Sequence, residues 1–323
     1  MSTPTTVVKA AESKWDFALS NIFDISSVGV AAGTATSAAG SAESDAIEKD
    51  LSQRIGAEQK TYTRPNGMPY VPRSMKVEGK HIHDVTFIQM AAANRMPVLL
   101  YGDPGTGKTA VFEAALPDLI TVQGTIETET ADLVGSWTQQ PDGTYKWIDG
   151  PLVIAAEEGR NLLVDEIALI DSRVMAVAYG LMDGRNELVV TANPERGVVK
   201  AAPGFMIFGA CNPDVPGAVM SDALLSRFQF HIEVGTDWNL TKKLGIDARI
   251  VQVARNLNIK KRDHAVTAAP QLRELLTYQE VLTTFGEEIA LKNFVAASRS
   301  EDRPTVTEAI ESVYGRKVGA LQM

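Results

Sequence analysis

Short apolar runs separated by longer amphipathic stretches dominate the middle of the chain. Continuous apolar strands that alternate with helices are typical of a parallel sheet covered on both faces. The pattern therefore predicts an α/β domain over residues 81–235, with a five-stranded parallel sheet flanked by helices. The predicted strands are Pro97–Tyr101, Leu119–Val122, Asn161–Val164, Phe205–Gly209 and Phe230–Val234.

The apolar spacing changes after this domain. Residues 236–323 carry apolar side chains at helical intervals over Leu244–Leu257, Gln271–Phe285 and Glu288–Ser298. Such spacing predicts helices that each bury one face. We therefore expect a small helical domain to follow the sheet domain.

Residues 1–80 predict an arm that precedes the α/β domain. Val28–Ala42 consists almost entirely of Ala, Gly, Ser and Thr, which bury too little apolar area to offset the ordering entropy, so we expect a flexible linker. Ser44–Gln59 has the composition of a short charged helix. The next segment, Thr61–Arg73, is rich in proline and other turn residues. It is interpreted either as an extended arm lying on the core or as a clamp on a neighbouring subunit.

Composition narrows the class of protein and the kind of partner. The 323 residues suit about two domains, and 45% hydrophobic with 22% charged residues is the balance of a globular protein. No apolar run is long enough to span a membrane. The net charge of −9 favours protein partners, because duplex DNA binders usually carry a basic surplus. The single cysteine, Cys211, excludes an intramolecular disulfide and is interpreted as a small core residue. No signal-peptide pattern is visible, so a cytoplasmic location is expected.

The segment after the first predicted strand carries the strongest chemical signal. It fits the pattern G-x-x-x-x-G-K-[ST], and a helix is predicted to follow. In such a loop the backbone N–H groups surround phosphates, while the lysine reaches the outer phosphates and the hydroxyl holds Mg²⁺. The predicted ATP-binding residues are Gly102, Asp103, Pro104, Gly105, Thr106, Gly107, Lys108, Thr109 and Ala110.

A second element completes the expected hydrolytic site. The strand Asn161–Val164 ends in Asp165 and Glu166, at the edge of the sheet where ligands of open α/β folds bind. Asp165 and Thr109 are the predicted Mg²⁺ ligands, with Asp165 acting through the water shell of the ion. Glu166 is predicted to polarise the attacking water.

With these two motifs in place, the chain resembles AAA+ ATPases, in particular the MoxR-like branch and the dynein-related group that includes the cobaltochelatase ATPase subunit. The resemblance runs from about Asp84 to the C-terminus. It implies that Asn212, in Ala210–Pro213, is the polar sensor of the γ-phosphate, although Asn-Pro is also a common turn pair. It also implies that Arg227, which precedes Phe228, is the finger that reaches the ATP of a neighbouring subunit.

Two further features follow from the resemblance. The family's second sensor is an arginine that opens a helix of the helical domain, here termed the lid. Gln271 stands where that arginine is most expected, and the role is assigned to Arg273, two residues later. Hairpins are predicted around a Pro-Asp-Gly turn after Asp132 and between Glu187 and Lys200. The first hairpin is expected to face the pore of a ring, where its exposed side chains either grip a substrate or pack the hairpin against the domain. These are Trp137, Tyr145, Lys146 and Trp147.

The resemblance implies a magnesium-dependent ATPase that assembles as a homo-oligomeric ring, expected to be a hexamer. It is expected to remodel a protein partner, for which a von Willebrand A-type domain is a candidate. Alternatives are a motor or loader that acts on nucleic acid through Lys146, Arg196 and Lys200, and the ATPase subunit of a metal chelatase. A small-molecule kinase is disfavoured by the sensor, the finger and the lid.

Overall fold

The computed structural model describes residues 61–77 and 80–322, so the predicted linker at Val28–Ala42 and the predicted helix at Ser44–Gln59 lie outside the described residues. The described part begins with two antiparallel hairpins. Their strands are β1 (Tyr62–Thr63) with β2 (Pro69–Tyr70), and β3 (Ser74–Val77) with β4 (Lys80–His83). Tyr70 is buried in the apolar core on one face of the central sheet, which supports the interpretation of residues 61–73 as an extended arm that lies on the core.

The remaining elements follow in chain order. The strands are β5 (Val98–Tyr101), β6 (Ile120–Gln123), β7 (Gly135–Gln139), β8 (Tyr145–Asp149), β9 (Asn161–Asp165), β10 (Glu187–Val189), β11 (Val198–Lys200), β12 (Met206–Cys211) and β13 (Phe230–Glu233). The helices are α1 (Asp84–Ala93), α2 (Lys108–Ala115), α3 (Thr130–Val134), α4 (Pro151–Glu158), α5 (Ser172–Met175), α6 (Tyr179–Met182), α7 (Asp222–Leu225), α8 (Trp238–Lys243), α9 (Ala248–Arg262), α10 (Leu272–Phe285), α11 (Glu287–Ala297) and α12 (Arg303–Tyr314).

The central sheet has five parallel strands in the order β13-β5-β12-β9-β6, which confirms the predicted fold class. Successive residues of a strand face opposite sides of the sheet. In β5, Leu99 therefore joins the apolar core on one face, while Val98 and Leu100 join the core on the other. The strands β5 and β12 are apolar along their length, while the other three each carry one polar residue before the carboxyl end, namely Thr121, Asn161 and His231. The carboxyl ends of the five parallel strands meet at one edge.

The two predicted hairpins are confirmed as β7 with β8 and β10 with β11. The lid, residues 236–323, is helical as predicted, and its buried residues form an apolar core of their own. The predicted helix Leu244–Leu257 is observed as α9, which starts four residues later. Gly245, with φ of +68°, interrupts the helical path after α8. The Asp247 carboxylate then accepts a hydrogen bond from the Arg249 N–H and caps the new helix.

Among the described residues, no helix combines the length and the apolar character needed to cross a membrane. The boundaries of the three predicted regions stay predictions.

Candidate functional site

The Gly-rich loop, residues 102–109, joins β5 to α2 at the carboxyl edge of the sheet. All three of its glycines, Gly102, Gly105 and Gly107, have a positive φ, which favours glycine. Gly102 has φ of +139°, and a Cβ there would lie 2.6 Å from the Val234 carbonyl oxygen. Gly107 has φ of +90° and is the N-cap residue of α2. The loop can therefore turn tightly against Val234, just after β13, and the N-terminus of α2 lies at the end of the loop.

Lys108 is the first residue of α2 and is only 6% exposed. Its Nζ donates to the carbonyl oxygens of Gly102 at 2.9 Å and Asp103 at 3.0 Å. Burial lowers the pKa of Lys108, although the nearby carboxylates of Glu166 and Asp165 oppose the shift. The ammonium group is thus held across the loop and faces two acidic side chains.

The two predicted motifs meet directly. The Thr109 hydroxyl donates to Oδ2 of Asp165 at 2.7 Å, across a separation of 56 residues in the chain. Oδ1 of Asp165 accepts from the Glu166 N–H at 3.0 Å. Glu166 has φ of +51°, a backbone conformation that is uncommon for a residue with a side chain. The Asn212 N–H, at the end of the adjacent strand, lies 3.3 Å from Oε2 of Glu166. The Thr109 hydroxyl, the carboxylates of Asp165 and Glu166, and the backbone N–H of the buried Asn212 therefore converge beside the loop.

Arg227 lies apart from this group, just after α7. Its guanidinium stacks 3.8 Å above the ring of Tyr179, and Nη1 donates to the Ala223 carbonyl oxygen. Its Nε is buried and has no hydrogen-bond partner in the described chain. These contacts leave the role of Arg227 in a neighbouring subunit as a prediction.

Three residues whose contact with the loop the sequence did not predict hold the loop from outside. We call Tyr70, Arg73 and Asp84 the Arg73 cluster. Oδ2 of Asp84 accepts from the Tyr70 hydroxyl and, at 3.0 Å, from Nε of Arg73. Nη1 of Arg73 then donates to the Thr106 carbonyl oxygen at 2.8 Å, and Nη2 lies 3.5 Å from that of Gly107. The arm is thereby bound to the backbone of the loop.

The electrostatics of this cluster favour a charged guanidinium. Burial by itself would lower the pKa of Arg73, but Tyr70 and Asp84 outweigh it, and the pKa is raised. Burial raises the pKa of the Tyr70 phenol, and the neighbouring Asp84 carboxylate raises it further. Tyr70 is therefore a neutral donor at neutral pH, and Arg73 and Asp84 form a closely paired charge couple.

The lid holds the same loop from another side. We call Asp103, Lys261 and Gln271 the Asp103 clasp. Nζ of Lys261 lies 2.7 and 2.8 Å from the two oxygens of Asp103, and Nε2 of Gln271 donates to Oδ2 at 2.8 Å. The Arg273 N–H donates to the Gly105 carbonyl oxygen at 3.1 Å, while the Arg273 residue is exposed. Gln271 thus contacts the loop through its side chain and Arg273 through its backbone, and the predicted sensor role of Arg273 stays a prediction.

A cavity of about 300 Å³ opens beside the loop. Its lining combines Arg73 and Asp84 with Phe87, Val111 and residues 232–237, which lead from β13 into the lid. This volume is at the lower end of the range for small-molecule sites, about 300–1,000 Å³. The cavity lies between the arm, the helices α1 and α2, and the segment that leads from β13 into the lid.

The two hairpins contact each other. Nε1 of Trp137 donates to the Ala192 carbonyl oxygen at 3.2 Å, and its ring lies edge to face with that of Trp147 at 5.8 Å. Arg196 forms an ion pair with Asp149 at 3.1 Å and a second one with Glu157. Trp147 is half-buried while Trp137 and Tyr145 are exposed. Packing between the hairpins thus involves both tryptophans, and the exposed Trp137 and Tyr145 remain candidates for contact with a partner.

Comparison with known proteins agrees with this geometry. Residues 97–228 match the family model described as AAA domain (dynein-related subfamily). This segment is similar to an AAA domain. The match covers the Gly-rich loop, Asp165, Glu166 and Asn212 and ends just after Arg227. The AAA-like segment therefore includes the central site, whereas the Arg73 cluster, Lys261 and Gln271 lie outside the matched residues.

Relatives extend the similarity beyond the AAA-like segment. An uncharacterized protein of Staphylococcus haemolyticus is 28% identical over 237 residues, which cover 66% of this chain and 89% of that protein. One of Staphylococcus aureus is 27% identical over 213 residues, with 63% and 74% covered. A solved structure of a candidate ATPase from Cytophaga hutchinsonii is 14% identical, with 72% and 81% covered and a TM-score of 0.40. That score is too low to support any argument.

Proposed function

We propose that this protein binds and hydrolyses ATP as an AAA+ ATPase of the MoxR-like kind and works in a ring. One observation carries the proposal. The Thr109 hydroxyl and the Asp165 carboxylate are hydrogen-bonded at 2.7 Å, with Glu166 and the buried Asn212 beside them. A hydroxyl and a carboxylate are oxygen ligands that suit Mg²⁺ in a nucleotide site.

Each functional side chain of the site has a separate role in the proposed hydrolysis. Loop N–H groups and Lys108 would bind the phosphates, and the base would lie in the adjacent cavity. Thr109 and Asp165 would hold Mg²⁺, which neutralises charge on the phosphates when it is bound. Glu166 would accept a proton from the attacking water, and Asn212 would orient that water.

The ring and its partner are the less direct part of the proposal. The Arg227 guanidinium stacks on Tyr179 in its own chain, and a guanidinium supplied by a neighbouring subunit would stabilise charge in the transition state. The exposed Trp137 and Tyr145 favour a protein surface as the partner, for which a von Willebrand A-type domain remains a candidate. Arg196 is paired with Asp149 and Glu157, so of the three basic residues considered for nucleic acid only Lys146 and Lys200 are exposed and unpaired in the described chain. The chelatase alternative rests on resemblance alone.

The first experiment compares the wild type with Glu166→Gln. Removal of the general base should lower ATP hydrolysis about 100-fold or more, while ATP binding is retained. Light scattering with ATP and Mg²⁺ should show a trapped assembly of about six subunits. The matched control is Glu158→Gln, since Glu158 is an exposed carboxylate that pairs with Arg160 on the surface. Hydrolysis unaffected by Glu166→Gln would remove Glu166 from the mechanism, and a wild type that neither binds nor hydrolyses ATP would refute the proposed function.

A further inference from the structure

The Arg73 cluster lies outside the AAA-like segment but contacts the Gly-rich loop within it. Arg73 belongs to the arm, yet its guanidinium contacts two consecutive carbonyl groups of the Gly-rich loop. Its side chain is 11% exposed and is paired with Asp84, which is 10% exposed. The carboxylate of Asp84 is in turn held by the Arg73 N–H at 3.1 Å and the Val85 N–H at 2.8 Å. The guanidinium is therefore held in place by Asp84, independently of its contact with the loop.

Peptide geometry connects this contact to phosphate binding. In a trans peptide the C=O and the N–H point in opposite directions from the same plane, and the described chain has no cis peptide. When the Thr106 carbonyl points outward to Arg73, the Gly107 N–H of the same peptide points toward the inner face of the loop. The Gly105 carbonyl is also turned outward, toward the Arg273 N–H, which orients the Thr106 N–H in the same way.

We propose that Arg73, held by Asp84 and Tyr70, is a positioning residue that fixes the loop N–H groups in their phosphate-binding orientation. This inference rests on the proposed function, because it assumes that the loop binds a nucleotide. It assigns part of the site to the arm, so residues 97–228 alone do not complete the site. Arg73 acts on the phosphates through the loop backbone and does not contact them.

The test separates phosphate binding from base binding. Competition assays on the full chain give the affinities of ADP and adenosine, and their ratio measures the contribution of the phosphates. In Arg73→Gln this ratio should fall roughly tenfold or more, the factor expected when a hydrogen bond from a charged group is lost. Arg73 also lines the cavity, but the apolar lining residues are unchanged in this variant, so the adenosine affinity should stay within about threefold.

Two further variants make the result specific. Arg64→Gln is the matched control, because Arg64 also ties the arm to α2, through Glu113 at 2.6 Å, without touching the loop. It should leave the ADP-to-adenosine ratio unchanged. Arg73→Lys keeps a positive charge beside Asp84 but lacks the second branch of the guanidinium fork. It should lower the ratio as well, and it decides the question if Arg73→Gln does not fold.

Each outcome has one meaning. An unchanged ratio in a folded Arg73 variant overturns the inference, and so does an equal loss of adenosine and ADP affinity, which indicates a general displacement of the arm. An equal fall of the ratio in Arg64→Gln also overturns it. A wild type that binds neither ligand refutes the proposed function instead.

Discussion

The Gly-rich loop is held from two sides, and the two sides differ in burial. In the Arg73 cluster, the side chains of the ion pair are 11% and 10% exposed. In the Asp103 clasp, the side chains of Lys261 and Asp103 are 28% and 24% exposed. Breaking a buried pair leaves a charge without compensation, whereas a partly exposed pair can exchange its partner for water and ions at little cost.

The two attachments also reach different parts of the loop. Arg73 binds main-chain carbonyl oxygens, so its contact constrains the backbone itself. Lys261 and Gln271 bind the side chain of Asp103, which can rotate without moving the loop, and the lid reaches the loop backbone through a hydrogen bond from the Arg273 N–H to the Gly105 carbonyl oxygen. The difference indicates a firmer attachment to the arm and, through Lys261, a more easily released attachment to the lid. Movement of the lid between nucleotide states would also have to release the hydrogen bond from Arg273 to Gly105.

The largest expected effect comes from breaking the arm side. Asp84→Ala removes the acceptor of Tyr70 and leaves Arg73 buried without its carboxylate. We expect the free energy of unfolding to fall by about 3–5 kcal/mol, as for other buried pairs that lose one partner. Urea denaturation followed by circular dichroism measures the change.

The control for this variant is Glu113→Ala, which breaks the more exposed ion pair between Glu113 of α2 and Arg64 of the arm. It should cost about 1 kcal/mol or less. If Asp84→Ala costs no more than Glu113→Ala, the buried cluster is not the stronger attachment, and the contrast between the two sides of the loop is lost.

A smaller effect is expected from Gln271, the buried member of the clasp. Its side chain is 4% exposed and links Asp103 with the Thr236 hydroxyl, at 2.8 and 2.6 Å. Gln271→Ala should lower the free energy of unfolding by about 1–3 kcal/mol, because the half-buried Asp103 and Thr236 each lose a hydrogen bond and α10 loses its N-terminal cap. The exposed Gln252, whose side chain donates a hydrogen bond to Asn256, supplies the control, and Gln252→Ala should change stability by about 0.5 kcal/mol or less. Equal losses in the two variants would contradict a special role for Gln271.

The sequence predicted the parts of the site that local patterns specify. The apolar runs predicted all five strands of the sheet. Asp165 is the last residue of β9, and Lys108 and Thr109 begin the helix after β5, so the parallel topology brings them to the same edge of the sheet. The contact between Thr109 and Asp165 then confirms the proximity of the two motifs. Their chemical roles stay predictions.

The two attachments of the loop could not be predicted in the same way. Arg73 lies 33 residues from Thr106, and Lys261 lies 158 residues from Asp103. Neither pair belongs to a periodic pattern, and the arm has no regular spacing from which its path could be derived. One signal was available: Gln271 and Glu274 have the spacing of a capping box, which the structure contains. That spacing places Gln271 at the N-cap of α10, where its side chain can turn back toward the loop.

The smallest effect is expected from Lys261, and it distinguishes a releasable contact from a permanent one. Lys261→Met should lower the free energy of unfolding by about 1 kcal/mol or less, since the pair with Asp103 is partly exposed. The loss should shrink further in 1 M salt, where the Debye length is about 3 Å. Denaturation of the wild type and the variant at low and high salt gives both numbers.

Lys260→Met is the matched control for this measurement, because Lys260 is the adjacent residue and lies 3.8 Å from Glu308 on the lid surface. It should change stability less than Lys261→Met at low salt, and the two variants should converge at high salt. A loss in Lys261→Met of several kcal/mol that persists in 1 M salt would show that the clasp behaves like the buried Arg73 cluster. The lid would then be fixed to the loop as firmly as the arm, and nucleotide-dependent movement of the lid would have to release some other contact.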